Sequence, residues 1–181
     1  LRVDRAHLVG TAAGGFVAAS FALTWPQRVV SLTLACTILS GAERAVLDML
    51  PWLREPWYNS LPHEFRELSP SYRAIDAAGV QRWRELHEQS RGGNPEVYQP
   101  AGEPATLAAI ARLSMPVLFI SGDADLISPP PVARLFQRTV RGSELVVFPE
   151  CGHSAYWERP GEFNAAVLGF IGRHRGEGAA L

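Results

Sequence analysis

The sequence contains no lysine: all 17 of its basic side chains other than histidine are arginine. That excludes a Schiff-base lysine and the phosphate-binding lysine of a P-loop. There are only two cysteines, Cys36 and Cys151. They are too few for a disulfide framework and lack the CxxC spacing of a zinc site, so reduced thiols in a cytoplasmic protein are the expectation. No metal-ligand cluster is visible, and neither a metal nor another cofactor is expected. Net charge is scarce too, at −1 over 181 residues. It offers nothing to attract nucleic acid or an anionic membrane, and neither is expected as a partner. No apolar run is long enough to span a bilayer, and no signal peptide is visible. An initiating methionine is absent, and Leu1 leads almost directly into a strand, so residues are expected upstream.

What is present is a soluble composition, 47% hydrophobic and 19% charged, enough for one sizeable core. Apolar runs bounded by turn residues predict strands at 6–11, 29–37, 116–121 and 144–148. Helices are predicted at 13–24, closed by Trp25-Pro26, at 129–140 and at 160–173, with Pro160 in the first turn. Strand and helix alternate with short connections. The expected fold class is therefore α/β, with a mostly parallel sheet and helices on both faces. Residues 38–112 break the rhythm. They are richer in charge, carry Trp52, Trp57 and Trp83, and read as a mostly helical insertion. Within them RGGNPEVYQPAGEP (91–104) reads as a loop.

The stretch HLVGTAAGGFVAASFAL (7–23) joins a strand to a small-residue helix through a glycine turn. A G-x-X-x-G turn in that setting projects the central side chain above the sheet. Here Gly10 and Gly14 flank Ala12, and Ala13 N–H becomes a candidate oxyanion donor at the helix N-terminus. The plain alternative is an ordinary glycine-rich turn. A dinucleotide fingerprint is not met, because the spacing of Gly10, Gly14 and Gly15 is wrong and no acidic residue ends the second strand. SGDADLISPP (121–130) places Asp123 and Asp125 after the third strand, and FPECGHSAYW (148–157) places His153 after the fourth. Alone, these read as a solvated turn and a surface histidine. Together the three sites fall at the same end of successive parallel strands, in the order turn, Asp, His.

With these stretches the sequence resembles the α/β-hydrolase superfamily, most closely its cap-bearing enol-lactonases, C–C bond hydrolases and haloperoxidase-like esterases. The matching segments are AHLVGTAAGGFVAASFALTWPQRVVSLTLA, MPVLFISGDADLISPP and LVVFPECGHSAYWERPGEFNAAVLGFI, roughly half of the chain. The resemblance implies that residues 1–37 and 113–181 form part of the hydrolase core and that 38–112 form the cap. It implies that Asp125 is the acid and His153 the base of a catalytic triad, with Ala12 in the nucleophile position. Trp52, Trp57, Trp83 and Ile127 are the candidate walls of the substrate pocket, although tryptophans at helical spacing are more often cap core. His7 is assigned to structure, Cys36 to a small core thiol, and His63, His87 and His174 to the exposed surface.

Two departures from the family carry consequences. Its nucleophile is usually Ser, occasionally Asp or Cys, whereas here it is Ala. Its sheet also has strands before the turn that nothing here matches. The four strands correspond to the second half of that sheet, so the strand at 6–11 is expected at an open edge. An N-terminal segment, a partner chain or a homodimer is expected to cover it. The implied function is hydrolysis of an ester, lactone or C–C bond in a small apolar or aromatic molecule. Because Ala12 has no nucleophile, two other readings stay open. One is a His/Asp-dyad enzyme without a covalent step, of lyase or cofactor-free oxygenase type. The other is a ligand-binding protein built on a dead hydrolase.

Overall fold

A computed structural model describes residues 3–39, 43–91 and 103–175. Most of the loop expected at 91–104 lies outside the described residues. The strands are β1 (Ala6–Thr11), β2 (Val29–Ala35), β3 (Val117–Gly122) and β4 (Glu144–Phe148). They form one parallel sheet in the order β1-β2-β3-β4, with Leu8 opposite Leu32, Leu34 opposite Phe119 and Ile120 opposite Val146. Helix α1 (Ala13–Thr24) joins β1 to β2. Helices α2 (Arg44–Leu53), α3 (His63–Glu67), α4 (Pro70–Ile75), α5 (Ala77–Arg91) and α6 (Leu107–Ile110) lie between β2 and β3. Helix α7 (Pro130–Thr139) joins β3 to β4, and α8 (Ala155–Glu158) and α9 (Pro160–Arg173) follow β4. The expected α/β class is the observed one.

Both faces of the sheet are covered, as near-continuous apolar strands require. The period-two alternation of a strand sorts β3 cleanly. Val117 and Phe119 face one cluster, with Ala19 and Ala22 of α1 and Val132 and Phe136 of α7. Leu118 and Ile120 face the other, with Phe163, Val167 and Phe170 of α9. Strand β2 is shorter than its apolar run: Cys36 N still donates to Ile120 O at 2.8 Å, but at φ 47° the chain turns out of the strand. Among the described residues β1 pairs with β2 alone, and Val9 on it is 44% exposed.

The segment between β2 and β3 packs in two parts. Val46 and Leu50 of α2 and Ile110 of α6 join the cluster beneath α1 and α7. Leu68, Val80 and Trp83 make a separate small core, closed by Tyr72 and by Trp157 of α8. The element after His153 is thereby packed into the helical insertion.

The glycines of the first turn differ in what they are for. A Cβ at Gly10 would lie 2.5 Å from Gly14 O and 2.9 Å from Ala18 Cβ, so β1 and α1 approach only because it is absent. A Cβ at Gly15 would meet Thr37 Oγ1 at 2.6 Å. Gly14 would place a Cβ in open space. Gly10→Ala is therefore expected to destabilise the chain by about 1–3 kcal/mol through overpacking. Gly14→Ala, inside a helix, is expected to stabilise it by about 0.5–1 kcal/mol. Urea unfolding of the two variants checks the opposite signs.

Candidate active site

Ala12 sits between β1 and α1 with φ 47° and ψ −120°. A non-glycine residue in so sparsely populated a region costs of order 1–3 kcal/mol. The surroundings hold it there: Ala12 N donates to Ala35 O at 3.0 Å, and Gly15 N donates to Ala12 O at 3.0 Å. Ala13 opens α1, where a first-turn N–H has no acceptor within the helix. Its amide is free to face an anion at the tip.

The loop after β3 folds around its own carboxylate. Asp125 Oδ1 accepts from Ile127 N and Ser128 N, each at 2.8 Å. Asp125 is 2% exposed and His153 5%. His153 Nδ1 lies 3.0 Å from both Asp125 oxygens. An ionised carboxylate only accepts, so Nδ1 carries the hydrogen and Nε2 is left as the basic nitrogen. Asp123 is the exposed carboxylate of the pair, and it takes Cys151 N at 3.3 Å. The acid and base loops meet because Gly122 has no side chain: a Cβ there would lie 2.1 Å from Cys151 O and 2.4 Å from Gly152 O. Ala124 N also donates to Cys151 O at 2.9 Å.

Burial by itself would lower the His153 pKa. The hydrogen bond and charge of Asp125, helped by Glu67, outweigh burial and the opposing charge of Arg54, and His153 is held above its ordinary value. The thiols behave oppositely. Burial, with Asp125 adding to it, pushes Cys36 far up, and burial pushes Cys151 up to about 12. Both stay neutral, and neither is a thiolate nucleophile. Among the described residues no three His, Cys, Asp or Glu side chains could hold a metal ion.

Several groups that hold this site carried no signal in the sequence. Arg54 Nε donates to Leu126 O at 3.0 Å, and its Nη2 donates to Ile127 O, so a residue of the insertion grips the acid loop. Ser128 Oγ donates to Thr37 O at 2.9 Å and ties that loop to the end of β2. Ser154 N, beside His153, donates to Glu67 O at 3.0 Å. Each partner is far away in sequence.

The tryptophans proposed as pocket walls lie in different environments. Trp52 is 90% exposed and Trp57 55%. On α2 the buried residues are Val46 and Leu50, and Trp52, two positions beyond Leu50, falls about 200° around the helix. A cleft of about 530 Å³ is lined instead by their neighbours Leu50, Pro51, Arg54 and Tyr58. Trp83 is 8% exposed, within the small core of the insertion. Ile127 is half-buried and reaches Asp125 through its backbone N–H. The histidines expected at the surface are half-buried. His87 stacks on Trp83 at 4.8 Å and lies 4.6 Å from His63, and His174 meets Phe170 at 4.7 Å. His7 bonds Ser31 Oγ at 2.7 Å near the start of β1, in keeping with a structural role.

Residues 1–166 match the model of the alpha/beta hydrolase family. The chain belongs to that family. It is 27% identical over 190 positions to the 2-hydroxy-6-oxononadienedioate/2-hydroxy-6-oxononatrienedioate hydrolase of Klebsiella pneumoniae, covering 96% of this chain and 64% of that protein. It is 28% identical to the pimeloyl-(acyl-carrier protein) methyl ester esterase of Aeromonas salmonicida, covering 93% and 71%. The chain thus spans about 64% of the length of the first of these relatives. In fold it is similar to a thermophilic esterase from Thermogutta terrifontis (TM-score 0.72, 22% identity, 95% and 66% covered). It is similar too to a serine-to-alanine mutant of the meta-cleavage product hydrolase of Pseudomonas fluorescens, complexed with acetates (TM-score 0.67, 22% identity, 96% and 66% covered).

The raised His153 pKa has a consequence for stability. An unfolded histidine titrates near about 6.5. The pair's contribution is therefore fully present below that pH and is lost as pH rises through the higher folded value. Asp125→Asn is expected to drop the His153 midpoint below the parent's. The stability gap between parent and variant should narrow as pH rises from about 5 to about 9. Urea unfolding across that range, with the His153 titration followed by NMR, checks it; a gap that widens would contradict the assignment.

Proposed function

We propose that the chain carries the acid–base half of a hydrolase active site, acting on an ester, lactone or C–C bond of a small apolar or aromatic molecule. The observation that supports this best is the buried Asp125–His153 hydrogen bond, formed by loops at the carboxyl ends of β3 and β4. In this reading Asp125 orients the imidazole and steadies its charged form. His153 Nε2 moves the proton, Ala13 N–H faces the oxyanion, and Ala12 stands where a nucleophile would. A hydroxyl at position 12 would give its proton to Nε2 as its oxygen bonds the substrate carbon. The imidazolium would then return that proton to the departing oxygen or carbon. Residues 38–112 serve as the cap, with the cleft beside Arg54 as the approach to the site. Similarity to a C–C bond hydrolase and a methyl ester esterase supports the substrate class.

The alanine favours a second reading. Without the hydroxyl, acyl transfer falls by roughly a million-fold in the protease precedent. A dyad remains that could take a proton from an acidic C–H or from a water attacking the substrate. A ligand-binding protein is the third reading. In all three the partner is a small molecule rather than nucleic acid or a membrane, and among the described residues no helix is long and apolar enough to cross one. The reading includes a cytoplasmic setting, for which two free buried cysteines are suited. The free side of β1 is where a further strand pairs, from a second copy or from another segment.

Ala12→Ser, made in this chain and in the complete product of its reading frame, is expected to raise hydrolysis of small aryl esters by at least about a thousand-fold. His153→Ala should abolish the gain. A folded but inert serine variant would overturn the hydrolase reading. His153→Ala in the parent then separates the other two: a dyad enzyme loses turnover, whereas a binding protein only changes its ligand affinity.

A further inference from the structure

We propose that Glu158 is a positioning residue for His153, locking the loop that carries the imidazole onto the cap. Cap docking and alignment of the Asp125–His153 pair then become one event. This rests on the reading of His153 as the base.

Glu158 ends α8, and its Oε1 accepts two backbone hydrogen bonds. One comes from Gly152 N at 3.0 Å, the residue immediately before His153. The other comes from Ser69 N at 3.1 Å, in the cap. Ser69 is fully buried and caps α4, its Oγ accepting from Tyr72 N at 3.0 Å. On the other side of the imidazole, Ser154 N donates to Glu67 O at 3.0 Å. Both chain neighbours of His153 are therefore tied to residues 67–69. The fit is close: a Cβ on Gly152 would lie 2.6 Å from Ser69 N and 2.7 Å from Glu67 O. Trp157, beside Glu158, packs into the small core of Leu68, Val80 and Trp83.

The loop is thus held on two faces. Gly122 and Ala124 of the acid loop hold one, and the cap holds the other through Glu158. Removing the carboxylate would leave two buried N–H groups without an acceptor and free the cap side. Glu158 Oε2 is buried and has no partner among the described residues, so one acceptor oxygen does the work. Glutamine supplies that oxygen without the charge, and aspartate keeps the charge on an arm one methylene too short to serve both amides.

The test needs no turnover and uses the chain as it stands. NMR follows the His153 titration, its Nδ1–H resonance and amide exchange at Gly152 and Ser69. Glu158→Gln should match the parent. Glu158→Ala should lower the His153 midpoint by about one unit and broaden the Nδ1–H signal. It should also speed exchange at both amides by at least about ten-fold. If that variant does not fold, Glu158→Asp should give a smaller shift in the same direction. A folded Ala or Asp variant with the parent's midpoint and Nδ1–H signal would make Glu158 merely structural and overturn the proposal. An equal shift in the Gln variant would also overturn it, since charge rather than position would then be acting. An inert Ala12→Ser variant beside the expected Glu158 effects would overturn only the hydrolase reading, and the converse pattern only this one.

Discussion

A carboxylate and an imidazole buried together cost several kcal/mol per charge to desolvate, unless their remaining hydrogen-bonding capacity is met. The Asp125–His153 pair meets it almost entirely from backbone. Two amides of the acid loop hold one Asp125 oxygen, and the imidazole Nδ1–H is shared between both oxygens. Backbone donors can be supplied only if the two loops keep a fixed shape. That shape depends on Gly122, whose missing Cβ lets the base loop lie against the end of β3. The chemistry of the pair and the packing of the sheet are therefore one constraint.

The helical segment between β2 and β3 answers to the same constraint. Arg54 reaches the carbonyls of Leu126 and Ile127, adjoining the amides that hold Asp125. Glu67 O accepts from the amide after His153, and Ser69 N shares Glu158 of α8 with the amide before it. The charge of Arg54 opposes protonation of His153 and that of Glu67 favours it, so this segment also acts on His153 electrostatically. An insertion that only shielded the site would need apolar contact alone. This one bonds to both loops that carry the ionisable pair.

Local pattern explains what the sequence made legible. Apolar runs ended by turn residues marked β1 to β4 to within two residues, because parallel strands covered on both faces are near-continuously apolar. The glycine turn, Asp125 and His153 were readable for a related reason: parallel strands deliver their carboxyl ends to one edge, so chain order becomes spatial order. The insertion lacks such a rule. Whether Trp52 or Leu50 faces inward depends on which side of α2 meets the sheet, and hydrophobicity alone favours the larger ring. Arg54 and Ile127 are 73 positions apart, and Ser69 and Glu158 are 89 apart. No periodicity announces contacts of that kind. The turn pattern likewise says nothing of which glycine packs: Gly15, not Gly14, makes the close approach to Thr37.

Ala12 concentrates the tension between fold and function. Its backbone bears a conformation that glycine would adopt with less strain, and its methyl offers no chemistry in return. The surroundings nonetheless keep that conformation, through the Ala35 carbonyl and the Gly15 amide. They also keep an acid–base pair whose burial is costly without a proton to move. Well-packed apolar residues in place of a buried ion pair are often neutral or stabilising. A scaffold under selection for stability alone would gain by losing the strain and the pair together. Here both stand, the strain at Ala12 and the buried Asp125–His153 pair, at the carboxyl ends of strands in one parallel sheet.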